Sequence, residues 1–415
     1  MRHLIIGCGA AGVSAAQAIR KENAKSTIVL IAKQVQPPYS LCSLPAVLAG
    51  EIEPQRIFRF PQDHFSDMDA DLRLGTEVMR VLPSDKRIIL DSGRKLRYDR
   101  LLISTGSLPL VPPIDGIDRK GVFTLTSLED VEGIQEYAKG TESIVVVGAG
   151  FVGIEAATAL RKRGQRVTVV EMLDSVLPRM LDPDLGRRVQ TILEGEGIRF
   201  RLGAQVTRIH GGERVEGVQV GDERIPCEMV VMGIGVRPNL GFLAGSGIRK
   251  GAGILVNETM RTSRRDIYAA GDVAESFDPL RGRRMVNAIW PNAVLQGRIA
   301  GENMAGVTSK FSGSFTINII DIFGVSVLSM GMASFEDSHL REFKFETSRA
   351  VKKLLLRNGK LAGMQFVGTL RNAGYIMSLM RKGEDVPDRE EILGDRFLSP
   401  ALVSGFSWKS LAVLD

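Results

Sequence analysis

One plan is written twice in this 415-residue chain: an apolar strand, a glycine turn and a helix. Near the start, HLIIG runs into Gly7-x-Gly9-x-x-Gly12 and the helical stretch VSAAQAIRKE. From residue 143, SIVVV leads to Gly148-x-Gly150-x-x-Gly153 and IEAATALRKRG. The first glycine of such a loop permits the tight turn, and the second lets a pyrophosphate approach the backbone. The third lets the helix pack closely on the strand, its N-terminus facing the phosphates. Both loops have the strand before and the helix after that the motif requires. Two of them predict an α/β chain with two Rossmann-like dinucleotide-binding domains. Ala10 and Ala11 then lie against the first ligand, and Phe151 and Val152 against the second.

The strand after the second loop, RVTVVE, ends at Glu171, about 20 residues beyond the first glycine, where a carboxylate bonds a ribose 2′-hydroxyl. An adenosine 2′-phosphate would be repelled there, so NAD is favoured over NADP. The first unit departs from the pattern, because its corresponding strand, TIVLIAK, carries Ala32 and Lys33 in place of an acid. Lys33 either approaches the adenosine or phosphate or is simply solvated.

Other function classes are disfavoured by composition. Three cysteines with no CxxC pair, and four scattered histidines, argue against a disulfide framework or a structural zinc site. Net charge is +6, but the short basic clusters carry no interleaved aromatic residues, which speaks against nucleic acid. Steering of an acidic protein partner is the better use of that charge. No apolar run approaches the ~18 residues of a membrane span. The opening MRHLIIGCGAAG reads as a strand rather than a secretion signal, so a cytoplasmic location is expected.

Further segments follow in order: Thr105-Gly106 after LLIS, Gly233-Ile-Gly235-Val-Arg-Pro-Asn239, and Asp266-Ile-Tyr-Ala-Ala-Gly-Asp272. With the two loops, they make residues 1 to about 305 resemble the flavoproteins of the pyridine-nucleotide disulfide oxidoreductase superfamily. The resemblance implies a glutathione reductase-like fold with FAD in the first unit and NAD in the second. It places FAD against Gly7, Gly9, Gly12, Cys42, Val78, Thr105, Gly106, Gly271 and Asp272, the last bonding the ribityl chain. It places NAD against Gly148, Gly150, Gly153, Glu155, Glu171 and Gly235, with Glu155 on the nicotinamide side. WPNAVLQGRIAGENMAG resembles the helix whose N-terminal amides face the flavin, and Ala293 is its candidate contact. The implied domains are 1–112 with 240–308 for FAD, 113–239 for NAD, and 309–415 as an α+β interface domain, through which a homo-oligomer would form. Within the last, Asn358-Gly359 between two strand-like runs signals a hairpin, NAGYIMSLMRKG a helix, and the tail around Trp408 core or a docking patch.

Cys42, in PPYSLCSLPAVLAGEI, occupies the position of the redox thiol in single-cysteine members of this superfamily. At a helix N-terminus beside a flavin its pKa is expected to be lowered. The expected helpers are missing: no second cysteine follows, Ala10 and Ala11 stand where peroxidase-type members place a histidine, and the C-terminal region has only His339. Tyr39 and Tyr375 are candidates to assist a coenzyme A-type reaction or to pack. The local sequence also resembles FAD subunits that link NAD to iron–sulfur partners in anaerobic complexes, such as those of phenylglyoxylate dehydrogenase and tungsten aldehyde oxidoreductase. The leading expectation is therefore electron exchange between NAD(H) and an iron–sulfur protein, as a subunit of a larger complex. The clusters must belong to the partner, because cluster binding takes about four cysteines. One alternative is a coenzyme A disulfide or polysulfide reductase or NADH oxidase using Cys42, with Glu155 as a further catalytic candidate. Another is a redox-sensing flavoprotein with an assembly role.

Overall fold

A computed structural model describes residues 1–60, 62–386 and 392–394. Its first parallel sheet has the strand order Ile267–Ala269, Arg100–Ile103, Arg2–Ile6, Thr27–Ile31, Ala70–Arg73. The chain thus leaves this sheet after residue 103 and returns at 267, where Ile267 to Ala269 pair in parallel with Leu101 to Ile103. Strands buried on both faces read as continuous aliphatic runs, as LLI and TIVLI do.

Two helices cover one face of this sheet. Ala10–Glu22 is alanine-rich, begins at the first glycine loop and ends with Arg20 and Lys21, whose charges suit a helix C-terminus. Trp290–Ala305 starts with Pro291 in its first turn and stops at Gly306, which adopts φ +101°. The two helices touch backbone to backbone: a Cβ on Gly297 or Gly301 would collide with the carbonyl oxygens of Ala11 and Ala15.

The second parallel sheet has the order Arg199–Arg201, Arg166–Val170, Ser143–Val147, Met229–Met232, Val122–Thr124. Behind it lie the helices Leu128–Ala138 and Phe151–Lys162. An antiparallel ribbon, Ser107–Pro109 against Val236–Pro238, links the two dinucleotide units.

The third sheet is antiparallel, in the order Ile317–Ile322, Val325–Gly331, Lys360–Val367, Val351–Arg357, Arg341–Glu346. Its central hairpin turns at Asn358 (φ 52°) and Gly359 (φ 82°), the left-handed pair that Asn-Gly predicts. Ala373–Lys382 is helical, also as expected. The tail around Trp408 lies outside the described residues. A buried lysine pins this sheet to the second unit: Lys353, 3% exposed at its side chain, reaches Asp182 at 3.0 Å, Asp184 at 2.9 Å and Glu342 at 3.1 Å. Three carboxylates around one shielded ammonium offset the desolvation that would make a lone buried charge costly.

Candidate active site

The two glycine loops have the same construction. Gly7 has φ +102°, and a Cβ there would strike Ser104 O; a Cβ on Gly12 would strike Gly7 O. Gly9, between them, faces nothing within 4 Å. In the second loop, Gly148 has φ +104° and its Cβ would lie 2.6 Å from Gly233 O, a Cβ on Gly153 would strike Gly148 O, and Gly150 again faces open space. The first and third glycines are thus required by the fold, while the second leaves backbone bare toward a ligand. That is the cradle a dinucleotide pyrophosphate needs. The residues present therefore fit FAD and NAD. Ala10, Phe151 and Val152 are half-buried beside the loops, and Ala11 is buried.

On the second unit Glu171 stands at the end of strand Arg166–Val170. Its carboxylate accepts hydrogen bonds from Ala149 N at 2.6 Å, inside the glycine loop, and from Leu173 N at 2.9 Å. Gly235, with φ +108°, enters the linking ribbon.

On the first unit Asp272 follows the buried strand Ile267–Ala269, and its carboxylate accepts from Ser107 Oγ at 2.9 Å. Burial raises its pKa above the ordinary aspartate value, the Ser107 bond partly opposing. Gly271, φ +79°, fits between two other elements: a Cβ there would lie 3.2 Å from Ala11 Cβ and 3.6 Å from Ala293 Cβ. Thr105 and Gly106 bind the return of the ribbon, Thr105 Oγ1 donating to Asn239 O at 3.2 Å and Asn239 N to Gly106 O at 3.1 Å. Val78 is buried at the start of strand Val78–Leu82. The Lys33 side chain is 76% exposed and its ammonium meets Glu77 at 3.1 Å.

Cys42 lies in the short turn Leu41–Ser43 that leads into helix Leu44–Ala49. The apolar face of that helix, Leu44, Val47 and Leu48, joins the core of the second unit rather than the first. Gln135 Nε2 donates to Val47 O at 2.7 Å and Lys162 pairs with Glu51 at 2.7 Å, fastening it there. This docking brings the thiol within electrostatic reach of Glu155, on helix Phe151–Lys162, and of Asp272.

The expected lowering of the Cys42 pKa is not found. Although the residue as a whole is exposed, its thiol is pushed up, first by burial and then by the negative charges of Glu155 and Asp272. Arg59 opposes only weakly. Burial alone lifts the Glu155 carboxyl to about 8. All four histidines are engaged elsewhere: His3 with Ser26, His64 with Gln17, His210 with Gln219 and His339 with Asp337. Tyr39 is buried, its hydroxyl accepting from Leu128 N at 3.0 Å. Among the described residues no group of histidine, cysteine and acidic side chains is arranged for a metal, and none of the helices is long and apolar enough to cross a membrane. Two polar residues escaped the motif reading. Ser107 follows the Thr105-Gly106 pair directly, whereas Gln296 sits in mid-helix with no local signal.

Two glycine cradles, joined by a ribbon whose Ser107 reaches Asp272, with Cys42 in electrostatic reach of Glu155, define a two-dinucleotide reductase. The model of the pyridine nucleotide-disulphide oxidoreductase family matches residues 1–297, and the chain belongs to that family. It is 36% identical to an NADH oxidase of Methanocaldococcus jannaschii, over 91% of this chain and 89% of that one. It is 29% identical to the NADH-dependent phenylglyoxylate dehydrogenase subunit epsilon of Aromatoleum evansii, over 97% and 96% of the two. Among solved structures it superposes on an NAD-dependent persulfide reductase from A. fulgidus with a TM-score of 0.89 at 30% identity, over 97% and 81%. The chain is an oxidoreductase that uses FAD and NAD.

Proposed function

We propose that this chain is the NAD-reactive flavoprotein of a larger assembly and exchanges electrons between NAD(H) and an iron–sulfur protein. FAD, when bound, would supply hydride exchange with a nicotinamide and one-electron release. In this reading the loop at Gly7, Gly9 and Gly12 holds FAD and that at Gly148, Gly150 and Gly153 holds NAD. Asp272, the Ala293 turn and the Val78 backbone fix the flavin and its adenine. Glu171 selects NAD, and the domains divide at 1–112 with 240–308, 113–239 and 309–415.

The observation that carries the reading is the setting of Cys42. Burial first, and then the charges of Glu155 and Asp272, raise the Cys42 pKa, and every histidine is engaged elsewhere, which favours the protonated, poorly nucleophilic thiol. In this reading the Cys42 sulfur takes no part in electron exit. Full-length similarity to a dehydrogenase subunit supports a place in a complex. Net charge of +6 suits an acidic partner.

A second reading, a Cys42-dependent disulfide, polysulfide or oxygen reductase, is favoured by the exposure of Cys42 beside a carboxyl that holds its proton to about pH 8. Likeness to the persulfide reductase adds to it. Cys42→Ser separates the two. Turnover of NADH with an oxidised ferredoxin-type acceptor within about twofold of wild type is expected. A loss of tenfold or more with every acceptor would overturn the proposal in favour of the second reading.

A further inference from the structure

Gln296 is fully buried on the helix Trp290–Ala305, one turn beyond Ala293. Its Oε1 accepts from Gly271 N at 2.9 Å, and its Nε2 donates to Ser276 Oγ at 3.0 Å. Gly271 immediately precedes Asp272. One amide side chain thus ties the loop that carries the ribityl aspartate to the helix whose first turn faces the flavin. The surroundings make this tie consequential. A Cβ on Gly271 would lie 3.2 Å from Ala11 Cβ and 3.6 Å from Ala293 Cβ, and one on Gly297, the next residue on the helix, would strike the backbone of Ala11. Three elements therefore meet at one point, and Gln296 supplies the directional bonds there, packing supplying the rest. From the opposite side Ser107 Oγ holds the Asp272 carboxylate.

We infer that Gln296 is a positioning residue for the flavin: it sets where Asp272 stands relative to the Ala293 turn, and through that distance tunes cofactor affinity and reduction potential. The inference rests on the assignment of FAD to this unit. A buried N–H left without its acceptor costs about 1–3 kcal/mol. Gln296→Met keeps the volume but removes both bonds, so the Gly271 amide is orphaned and the Asp272 loop loses its register.

The test uses the full chain reconstituted with FAD, reading the FAD dissociation constant by flavin fluorescence and the midpoint potential by spectroelectrochemistry. Gln296→Met is expected to weaken FAD binding by about tenfold, the scale of one orphaned buried donor. Ser276→Ala, which spares the Gly271 bond, is expected to change it by less than threefold. Gln296→Glu, whose fully buried carboxyl stays protonated, keeps an acceptor for Gly271 N and an O–H donor toward Ser276 Oγ, so it should retain FAD affinity within about threefold and guards against a misfolded Met variant. In Gln296→Met the displaced Asp272 is expected to change the relative binding of oxidised and reduced flavin by about tenfold, a shift of about 30 mV in the two-electron potential. A role in general packing alone would lower the unfolding midpoint without moving the potential. Wild-type potential or wild-type FAD affinity in a folded Gln296→Met overturns the inference. Failure of the wild-type chain to bind FAD would instead overturn the assignment on which it rests, and the inference with it.

Discussion

Glu155 offers the most quantitative test of the site. Burial lifts its carboxyl from the ordinary 4.5 to about 8. A group whose folded pKa exceeds its unfolded value binds its proton more tightly in the native state, so stability declines as pH rises between the two values. Below pH 4.5 the carboxyl is neutral in both states and costs nothing as a charge. From 4.5 to about 8 the penalty grows, and above 8 it is constant. At 1.36 kcal/mol per unit the full shift corresponds to about 5 kcal/mol. Glu155 is half-buried rather than sealed, so relaxation and water penetration reduce this to about 2–3 kcal/mol. Glu155→Gln removes the charge and keeps the shape. Urea unfolding of wild type and variant, without nicotinamide nucleotide, should show a gap under about 1 kcal/mol at pH 5 that widens to about 2–3 kcal/mol at pH 9, the variant being the more stable. The pH profile of kcat/KM for NADH should carry an inflection near 8 in wild type that the variant lacks. A stability gap that is flat across this range, or that narrows as pH rises, would refute the reasoning.

The loops invite a paired comparison. Gly150→Ala adds a methyl group to empty space and should leave the unfolding midpoint within about 1 °C while raising KM for NADH about tenfold or more. Gly153→Ala drives the same methyl group into Gly148 O and should lower the expression of folded protein severely, as seen by circular dichroism and size exclusion. Glu171→Ala removes the carboxylate that bonds Ala149 N and Leu173 N; the ratio of kcat/KM for NADH over NADPH should fall about tenfold, measured with one acceptor for both nucleotides.

What was legible in the sequence was what is local. A glycine loop is a contiguous run whose φ angles and contacts are fixed by the strand and helix on either side, and Gly7 to Gly12 and Gly148 to Gly153 take the geometry their spacing dictates. The Asn358-Gly359 turn and the 290–305 helix are local in the same sense. The charge state of Cys42 is not. Its own segment, a turn entering a helix, suggests a lowered pKa, but the result is decided by Leu44, Val47 and Leu48, which bury against the other dinucleotide unit and carry the thiol toward Glu155. Apolar residues on a six-residue helix announce burial without naming the partner, so the approach of an acid from more than a hundred positions away left no trace in the pattern. The same holds for Lys353, whose strand reads as VKKLLLR with polar residues in a buried run; only the arrival of Asp182 and Asp184 explains why a lysine is tolerated there. In both cases a charged or polarisable group stands against the local expectation, and in both the reason is a contact between units. Departures of this kind mark where the units of this protein were fitted to one another, and the proposed reactive centre lies at one of those fits, as hydride exchange between two separately held dinucleotides would require.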